Sequence, residues 1–376
     1  MKIHYVSGSR ADFGLMKQSL MVLSEADSKH KLEVVVTGQH MLAQYGNTID
    51  DIRCAGISIG AEIPVTLSGG GGYEMGAALS EELTGMLNYW QSNRPDLVLL
   101  LGDRGEMLAA ALAAVHLGIH VAHIHGGERS GTLDESFRHA ISKLSHLHFT
   151  ATEESAGRLA KMGEDPEFIS VIGAPGLVGI TDVAKVDREV LQKTYGLEEG
   201  LPLALTIFHP VVQEAEQAAQ QISCLVDAID SSGFSQIVLS PNSDAGANTI
   251  EKRLDSFKDS PRICVLTHLK RDHYLEILAS SDMIIGNSSS GIIESASLGT
   301  VCLNVGDRQN FRQRNTNTID CPKIKSSDLK SAIAQAQLMR PDYSNVYGDG
   351  QTHFRLRSLM DDLILNRGIL KKVNKY

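Results

Sequence analysis

Short apolar runs alternate with longer segments of helical periodicity along the whole chain, and this alternation constrains the fold most strongly. The runs are rich in branched aliphatic residues and are mostly continuous, a pattern typical of parallel strands that are covered on both faces. Strand–helix–strand repetition predicts an α/β fold of two Rossmann-like, doubly wound domains that face a central cleft. The predicted strands are 2–6, 32–36, 97–101, 119–123, 147–150, 169–172, 203–207, 236–239, 263–266, 283–285 and 301–303.

The length of 376 residues exceeds what one ordinary core accommodates, so two domains are expected. The boundary is predicted between Gly173 and Pro202, where polar and glycine-containing residues separate two series of strands. We therefore expect an N-terminal domain over 1–175 and a C-terminal nucleotide-binding domain over 176–355. A helical pattern over 352–366 suggests that residues 356–376 pack back on the first domain.

Composition excludes several classes of protein. A net charge of −10 and the lack of a basic patch argue against nucleic-acid binding. No apolar run is long enough to cross a membrane, and the first residues lack the apolar region of a signal peptide. Five scattered cysteines without a C-x-x-C pair indicate a reduced, cytoplasmic protein.

The segment Gly286–Glu294, G-N-S-S-S-G-I-I-E, follows an apolar strand and precedes a predicted helix. Backbone N–H groups and the hydroxyls of Ser288 and Ser289 would converge at the start of that helix, an arrangement suited to a phosphate. Glu294 follows within the same helix and could accept hydrogen bonds from sugar hydroxyls. Together these features indicate a nucleotide-sugar ligand.

Carboxylates follow two strands of the first half. Asp103 and Arg104 come directly after the strand 97–101, and Glu128 and Asp134 lie in the segment after 119–123. Several carboxylates in one cleft raise one another's pKa, which suits general acid–base catalysis. Structural alternatives are a helix cap at Asp103 and an ion pair between Asp103 and Arg104.

Arg10, in the segment G-S-R-A-D after the first strand, could bind a phosphate at a helix start. The alternative is a capping turn built by Ser9 and Asp12. The pair His123 and His125 lacks a third ligand at a recognisable spacing, so a metal site is not expected.

Polar residues also follow strands of the second half. His209 precedes Pro210 at the mouth of a loop, where it could contact a ligand. Asn242 and Asp244 could contact a ribose or a base, or could form an Asx turn. Tyr274 could stack on a base or fill the core, and Arg308 is a second candidate contact.

Other polar segments have structural explanations. Arg138 and His139 lie in a predicted helix and are interpreted as structural residues. The glycine run 69–72 lacks the features of a P-loop, so it is predicted to form a lid or an ordinary surface loop.

Six segments in order resemble the hydrolysing UDP-N-acetylglucosamine 2-epimerases of sialic-acid and related pathways. They are G-S-R-A-D, G-D-R-G-E, H-I-H-G-G-E-x-S-G-T-x-D-E-S, F-H-P, P-N-x-D-x-G and G-N-S-S-x-G-x-x-E, within residues 1–320. The third segment is the most specific. The non-hydrolysing sister enzymes carry a pattern nearer E-A-G-x-R-T at residues 125–130, and this departure favours hydrolysis.

The resemblance implies a fold like that of the GT-B glycosyltransferases and a reaction in two steps. A base removes the C2 proton while the nucleoside diphosphate leaves C1, and water then adds with inversion at C2. The matching positions assign Asp103, Glu128 and Asp134 to proton handling, without deciding which is base and which is acid. The implied substrate-binding residues are Arg10, Arg104, His125, His209, Asn242, Asp244, Tyr274, Ser288, Ser289, Gly291, Glu294 and Arg308.

The resemblance further implies a homodimer or homotetramer that needs no cofactor. UDP-N-acetylglucosamine and a UDP- or GDP-linked 2,4-diacetamido-2,4,6-trideoxy sugar both remain candidate substrates, because the sequence does not identify the groups at C4 and C6. Three alternative functions are a GT-B glycosyltransferase, a non-hydrolysing 2-epimerase and a non-catalytic nucleotide-sugar sensor.

Overall fold

The structure is a computed structural model that describes residues 1–42, 46, 48–66, 71–131, 133–241, 246–267 and 269–376, with the side chain of residue 212 also outside the description. The chain divides into two compact units. Unit 1 comprises Met1–Glu128, Leu133–Val178 and Tyr347–Tyr376. Unit 2 comprises Arg129–Thr132 and Gly179–Val346.

Unit 1 contains a sheet of parallel strands with helices on both faces. Its described strands are β1 (Lys2–Ser7), β2 (Lys31–Val36), β3 (Ile59–Glu62), β4 (Leu97–Leu101), β5 (His120–Ile124), β6 (Leu147–Thr150) and β7 (Ile169–Val171). Its described α-helices are α1 (Arg10–Leu23), α2 (Ile49–Cys54), α3 (Gly72–Ser92), α4 (Gly105–His116), α5 (Leu133–Leu144), α6 (Glu153–Lys161) and α14 (Thr352–Asp362).

The strand order in unit 1 is β3-β2-β1-β4-β5-β6-β7. Successive residues of β4 belong to the core layers on opposite faces of the sheet. Leu99 lies in the layer that contains Phe13 of α1, whereas Leu100 lies in the layer that contains Trp90 of α3. Both faces of the strand are therefore buried, which explains why its sequence is continuously apolar. Order along the sheet reverses between β1 and β4, and ligands of open α/β sheets bind at such a reversal.

Unit 2 repeats this plan with a second parallel sheet. Its described strands are β8 (Leu203–Ile207), β9 (Ser235–Leu239), β10 (Ile263–Leu266), β11 (Met283–Gly286), β12 (Val301–Val305) and β13 (Thr318–Cys321), in the order β10-β9-β8-β11-β12-β13. Its described α-helices are α7 (Arg188–Thr194), α8 (Ala218–Asp230), α9 (Ala247–Leu254), α10 (Arg271–Ser280), α11 (Ser289–Ile293), α12 (Ser295–Leu298) and α13 (Ser326–Gln337). The reversal point lies between β8 and β11.

The structure confirms two parallel-sheet α/β domains and places a strand at each predicted position. The sequence prediction missed β3 and β13, each of which is one of the two edge strands of its sheet. These two strands lack a continuous apolar pattern, since β3 reads I-G-A-E and β13 reads T-I-D-C.

Two helix boundaries differ from the prediction. The helical pattern over 210–229 predicts one continuous helix, but the segment begins as a 3₁₀ helix at Val212–Gln217 and becomes α8 only at Ala218, after non-helical backbone at Glu214. The helix expected over 352–366 ends at Asp362. The predicted domain boundaries stay a prediction.

The last helix, α14, packs against α1 within unit 1. Arg357 donates to the carbonyl of Val22 at 2.7 Å, and its guanidinium pairs with Asp361 at 2.9 Å. Leu356 and Met360 are buried in the same layer as Phe13. These contacts join the last helix of the chain to the first.

Candidate active site

Unit 1 brings polar residues to the carboxyl edge of its sheet, next to the reversal between β1 and β4. Gly102–Arg104 follow β4, and His125–Glu128 follow β5. The first turn of α5 carries Asp134. The described polar residues that follow strands in unit 1 therefore gather at the edge where doubly wound sheets bind ligands.

Arg138 on α5 joins two of the predicted catalytic segments. Its guanidinium pairs with the Asp103 carboxylate, and its Nη1 donates to the carbonyl of Glu128 at 3.1 Å. The Arg138 side chain is 1% exposed and that of Asp103 is 23% exposed. Arg138 therefore holds the segments that carry Asp103 and Glu128 beside each other. Asp134 lies one helical turn before Arg138, so the two residues lie on the same face of α5.

The loop that carries Glu128 is tightly constrained. His125 has a left-handed backbone with φ of 63°, and its Nδ1 contacts the Glu128 carboxylate. Gly127 has φ of 77°, and a Cβ atom there would collide with the carbonyl of Ser155. The Glu128 side chain is 4% exposed. The contact between His125 and Glu128 places two titratable groups where a proton can pass between them.

The segment G-S-R-A-D after β1 forms a capping box, in agreement with its structural alternative. The Asp12 carboxylate accepts hydrogen bonds from the N–H groups of Gly8 and Ser9 at 2.9 and 2.8 Å. Burial is the main cause that raises the pKa of Asp12 to about 6. Arg10 begins α1 and donates from Nε to Asp51 at 2.7 Å.

Arg104 pairs with a carboxylate that the prediction did not include. Its Nε lies 3.3 Å from both carboxylate oxygens of Glu106. Glu106 packs against the backbone of the loops after β1 and β2, because a Cβ atom at Gly8 or Gly38 would lie 2.8 Å from its Oε1. Glu106 thus fixes Arg104 relative to the loop after β1.

Unit 2 gathers its predicted residues around Asn287, which follows β11. Asn287 and His209 exchange two hydrogen bonds, since the His209 N–H donates to Oδ1 at 2.7 Å and Nδ2 donates to the His209 carbonyl at 2.8 Å. The Asn287 carbonyl accepts from Arg308 Nη1 at 3.2 Å and from Gln309 Nε2 at 3.1 Å. Asn287 therefore joins the loops that follow β8, β11 and β12.

The serine-rich segment begins a much shorter helix than the sequence suggested. Ser288 caps α11, which spans only Ser289–Ile293 before the chain bends at Glu294. A helix this short has a weak dipole, so local N–H groups and hydroxyls must supply any anion site. Gly291 has a packing role, because a Cβ atom there would lie 2.9 Å from Cys302 Sγ.

Glu294 takes part in a buried network. Its carboxylate accepts from Ser290 Oγ and pairs with Arg271, while the Tyr274 hydroxyl contacts Ser290 Oγ. The Glu294 side chain is 2% exposed, and burial is the main cause that raises the pKa of Tyr274. Tyr274 and Glu294 are therefore coupled through Ser290. The predicted residues Asn242 and Asp244 lie outside the described residues.

Sequence reasoning missed Arg138 and Asn287. Arg138 was interpreted as structural, although its spacing of four residues from Asp134 is a signal that both face one side of a helix. Asn287 is part of the motif G-N-S-S-S-G-I-I-E, but the sequence assigns it no role. Its effect depends on contacts with loops after three different strands, which sequence spacing does not reveal.

Within the described part of the chain, no group of three or more His, Cys, Asp or Glu side chains is arranged to hold a metal ion. No described helix has both the length and the apolar character needed to cross a membrane.

Glu82 of α3 is a titratable residue of unit 1 whose protonation state in the folded protein can be tested. Its side chain accepts from Thr37 Oγ1 at 3.3 Å, and burial, followed by the charge of Glu106, raises its pKa from 4.5 to about 9. The folded protein therefore holds a proton that the unfolded chain releases above pH 4.5. The contribution of this protonated Glu82 to the free energy of unfolding is fully present below pH 4.5, and it is lost as the pH rises toward 9.

We expect Glu82→Gln to match the wild type in stability near pH 4.5 and to exceed it at higher pH. The difference in the free energy of unfolding should grow by up to about 1.4 kcal/mol per pH unit. Urea unfolding at several pH values between 5 and 9 measures it. Glu153→Gln, at an exposed carboxylate of the same unit, is the control. A pH-independent difference would contradict the protonated state of Glu82.

Comparisons with known proteins give the family. A sequence profile of the UDP-N-acetylglucosamine 2-epimerase family matches residues 24–361. The chain is 44% identical to a UDP-N,N′-diacetylbacillosamine 2-epimerase (hydrolyzing) of Legionella pneumophila, with 100% of this chain and 99% of that protein covered. It is 32% identical to a UDP-N-acetylglucosamine 2-epimerase of Neisseria meningitidis, with 93% and 92% covered.

Among solved structures, the fold is similar to that of the Methanocaldococcus jannaschii UDP-GlcNAc 2-epimerase in complex with UDP-GlcNAc and UDP. The TM-score is 0.77 at 18% identity, with 96% of this chain and 99% of that chain covered. This likeness supports two parallel-sheet α/β domains of GT-B-like fold. With the profile match and the full-length relatives, it shows that the chain belongs to the UDP-N-acetylglucosamine 2-epimerase family.

Proposed function

We propose that this protein is a hydrolysing nucleotide-sugar 2-epimerase. The observation that carries the proposal is the Arg138 cluster, which holds the segments bearing Asp103 and Glu128 together, with Asp134 on the same helix. A carboxylate-rich edge suits a reaction that removes one proton and adds another. Transfer to an acceptor, as in a glycosyltransferase, needs only one base.

The proposed reaction proceeds in two balanced steps. A carboxylate takes the C2 proton while the C1–O bond breaks, so the nucleoside diphosphate leaves and a 2-acetamidoglucal forms. Water then adds across the double bond, with hydroxyl at C1 and a proton at C2 on the opposite face. The products are the free 2-epimer and the nucleoside diphosphate.

The C2 proton beside an acetamido group is only weakly acidic, so C1–O cleavage must run ahead of proton removal. Stabilising the departing diphosphate is therefore the main catalytic demand, and general acid–base help adds about 10²–10⁴ in rate. We assign Asp103, Glu128 and Asp134 to proton handling. The Arg138 guanidinium fixes the position of the Asp103 carboxylate, and the contact with His125 orients Glu128.

We assign the nucleotide to unit 2. Ser288 and Ser289 offer hydroxyls and N–H groups after β11, and Asn287 holds His209 and Arg308 beside them. Buried Glu294 can accept hydrogen bonds from ribose hydroxyls at lone pairs that Ser290 and Arg271 leave available. Arg10 and Arg104 of unit 1 are the proposed further contacts for phosphate.

We propose a UDP-linked 2,4-diacetamido-2,4,6-trideoxy sugar as the first candidate substrate and UDP-N-acetylglucosamine as the second. The order follows the activities for which the two relatives are named, at 44% and 32% identity. In each candidate C2 carries an acetamido group, so the chemistry at C1 and C2 is the same. The groups at C4 and C6 distinguish them.

The test is incubation with both UDP-sugars and the GDP-linked diacetamido sugar in D₂O, followed by NMR of the products. We expect a free sugar that is inverted at C2 and carries deuterium there, because the C2 proton is exchanged during elimination and hydration. A product still linked to the nucleotide would indicate a non-hydrolysing epimerase. Turnover only with an added acceptor would indicate a glycosyltransferase, and binding without turnover would indicate a sensor.

We further propose a cytoplasmic homodimer or homotetramer that acts without a cofactor. Five free cysteines, two of them buried, are consistent with a reducing compartment. Sedimentation of the purified protein measures the oligomeric state. A monomer at working concentration would contradict this part of the proposal.

A further inference from the structure

Residues 369–376, here called the strap, run beside α5 and α6 within unit 1. The Lys375 N–H donates to the carbonyl of Gly163 at 2.8 Å, and a Cβ atom at Gly163 would lie 2.9 Å from the Tyr376 ring. Lys143 of α5 donates from Nζ to Asn374 Oδ1 at 2.5 Å. Ile369 at the start of the strap is buried. The strap is thus fastened to unit 1 along its length.

Lys372 is the central residue of the strap. Its ammonium donates to three backbone carbonyls, those of Ser142, Lys143 and Ser145, at 3.0, 2.8 and 2.6 Å. These carbonyls belong to the last turn of α5 and the residue beyond it, where a helix leaves its acceptors without intrahelical partners. A positive charge is favourable at this end of a helix. Lys372 therefore caps α5.

A buried carboxylate holds Lys372 in this position. Glu164, with a side chain 1% exposed, lies 2.5 Å from Lys372 Nζ, 2.7 Å from Lys143 Nζ and 2.8 Å from His148 Nε2. Burial raises the pKa of Glu164, but hydrogen bonds from His148, Lys143 and Lys372 outweigh it and lower the pKa to about 2. Glu164 stays ionised and anchors the strap to α5 and β6.

The helix that Lys372 caps, α5, also carries residues of the proposed catalytic site. Asp134 lies in its first turn, and Arg138 in its middle pairs with Asp103. Near its end, Ser142 Oγ lies 3.0 Å from His123 Nδ1, and His123 Nε2 lies 2.7 Å from the carbonyl of Gly102. Movement of α5 would therefore disturb Arg138 and also the loop that presents Asp103.

We infer that Lys372 is a positioning residue for the epimerase reaction, because it fixes α5 and thereby the Arg138–Asp103 pair. This inference rests on the proposed function. Lys372 acts only through α5, so its loss should misplace catalytic groups and leave the nucleotide contacts of unit 2 intact. The expected signature is a lower kcat with little change in KM.

The test compares Lys372→Met with Lys371→Met, which removes the same charge from the exposed neighbouring residue. We expect Lys372→Met to lower kcat by about 10- to 100-fold, as a misplacement near 1 Å can do. Its KM should stay close to the wild-type value, and Lys371→Met should match the wild type in both. Lys372→Arg, which keeps the charge and the donors, should recover part of the loss. Hydrogen exchange at the amides of α5 should be faster in Lys372→Met than in Lys371→Met.

The possible outcomes separate this inference from the proposed function. An active wild type with unchanged kcat in Lys372→Met would overturn the positioning role. Equal loss in Lys371→Met and Lys372→Met, or a change in KM alone, would also overturn it. If the wild type releases no free sugar from any nucleotide-sugar, the proposed function and the catalytic role fail together. Even then, hydrogen exchange at the amides of α5 would show whether Lys372 stabilises this helix. Equal exchange in Lys372→Met and Lys371→Met would refute the stabilising role of Lys372 as well.

Discussion

Glu128→Gln is expected to stop release of free sugar and nucleoside diphosphate while substrate binding persists. The side chain keeps its shape and loses the ability to accept or deliver a proton, so kcat should fall by about 10²–10⁴-fold. The carboxylate is 4% exposed and contacts His125, so no bulk water is positioned to replace it fully. Product NMR measures turnover, and titration calorimetry with the unreacted nucleotide-sugar measures affinity.

Glu153→Gln is the matched control for this prediction, because Glu153 is an exposed carboxylate of the same unit. It should leave both turnover and affinity unchanged. Normal turnover in Glu128→Gln would remove Glu128 from the mechanism. A large loss of affinity with unchanged kcat would assign it to binding.

The parallel sheets could be predicted because their central strands are buried on both faces. In β4 every residue is a buried aliphatic residue, and in β8 Thr206 alone interrupts a buried apolar run, so the position of each strand is evident in the sequence. The edge strands β3 and β13 escape prediction because their residues are mixed. The edge strand β10 also lacks a neighbour on one side, but its sequence I-C-V-L is continuously apolar and therefore predicts a strand.

The sequence locates some residues of the candidate site but not others. Asp103 and His209 follow buried strands directly, so strand prediction alone locates them at the carboxyl edges. Arg138 and Lys372 contribute through contacts with residues 35 and 230 positions away in the sequence. Neither the buried pairing of Arg138 nor the capping by Lys372 has a local pattern, because both depend on how the chain folds back on itself.

Arg138→Met is expected to lower activity strongly, although the sequence alone indicates only a structural role for Arg138. The variant removes the partner of the Asp103 carboxylate and the donor to the Glu128 carbonyl. Activity should fall by at least about 10²-fold, because both catalytic segments lose their common anchor. Breaking a buried pair typically costs about 3–5 kcal/mol, and solvent at the 23% exposed Asp103 should reduce this to about 2–3 kcal/mol.

A double-mutant cycle with Asp103→Asn separates the pair from simple loss of packing. If the Arg138–Asp103 contact carries the effect on stability, the double variant should be about 1–2 kcal/mol more stable than the sum of the single changes predicts. Urea unfolding of the four proteins measures this coupling, and Arg367→Met at an exposed arginine of unit 1 is the control. Additive free energies would show that Arg138 stabilises the protein through its other contacts. In that case the loss of activity in Arg138→Met would be assigned to its contact with the Glu128 carbonyl rather than to the Asp103 pair.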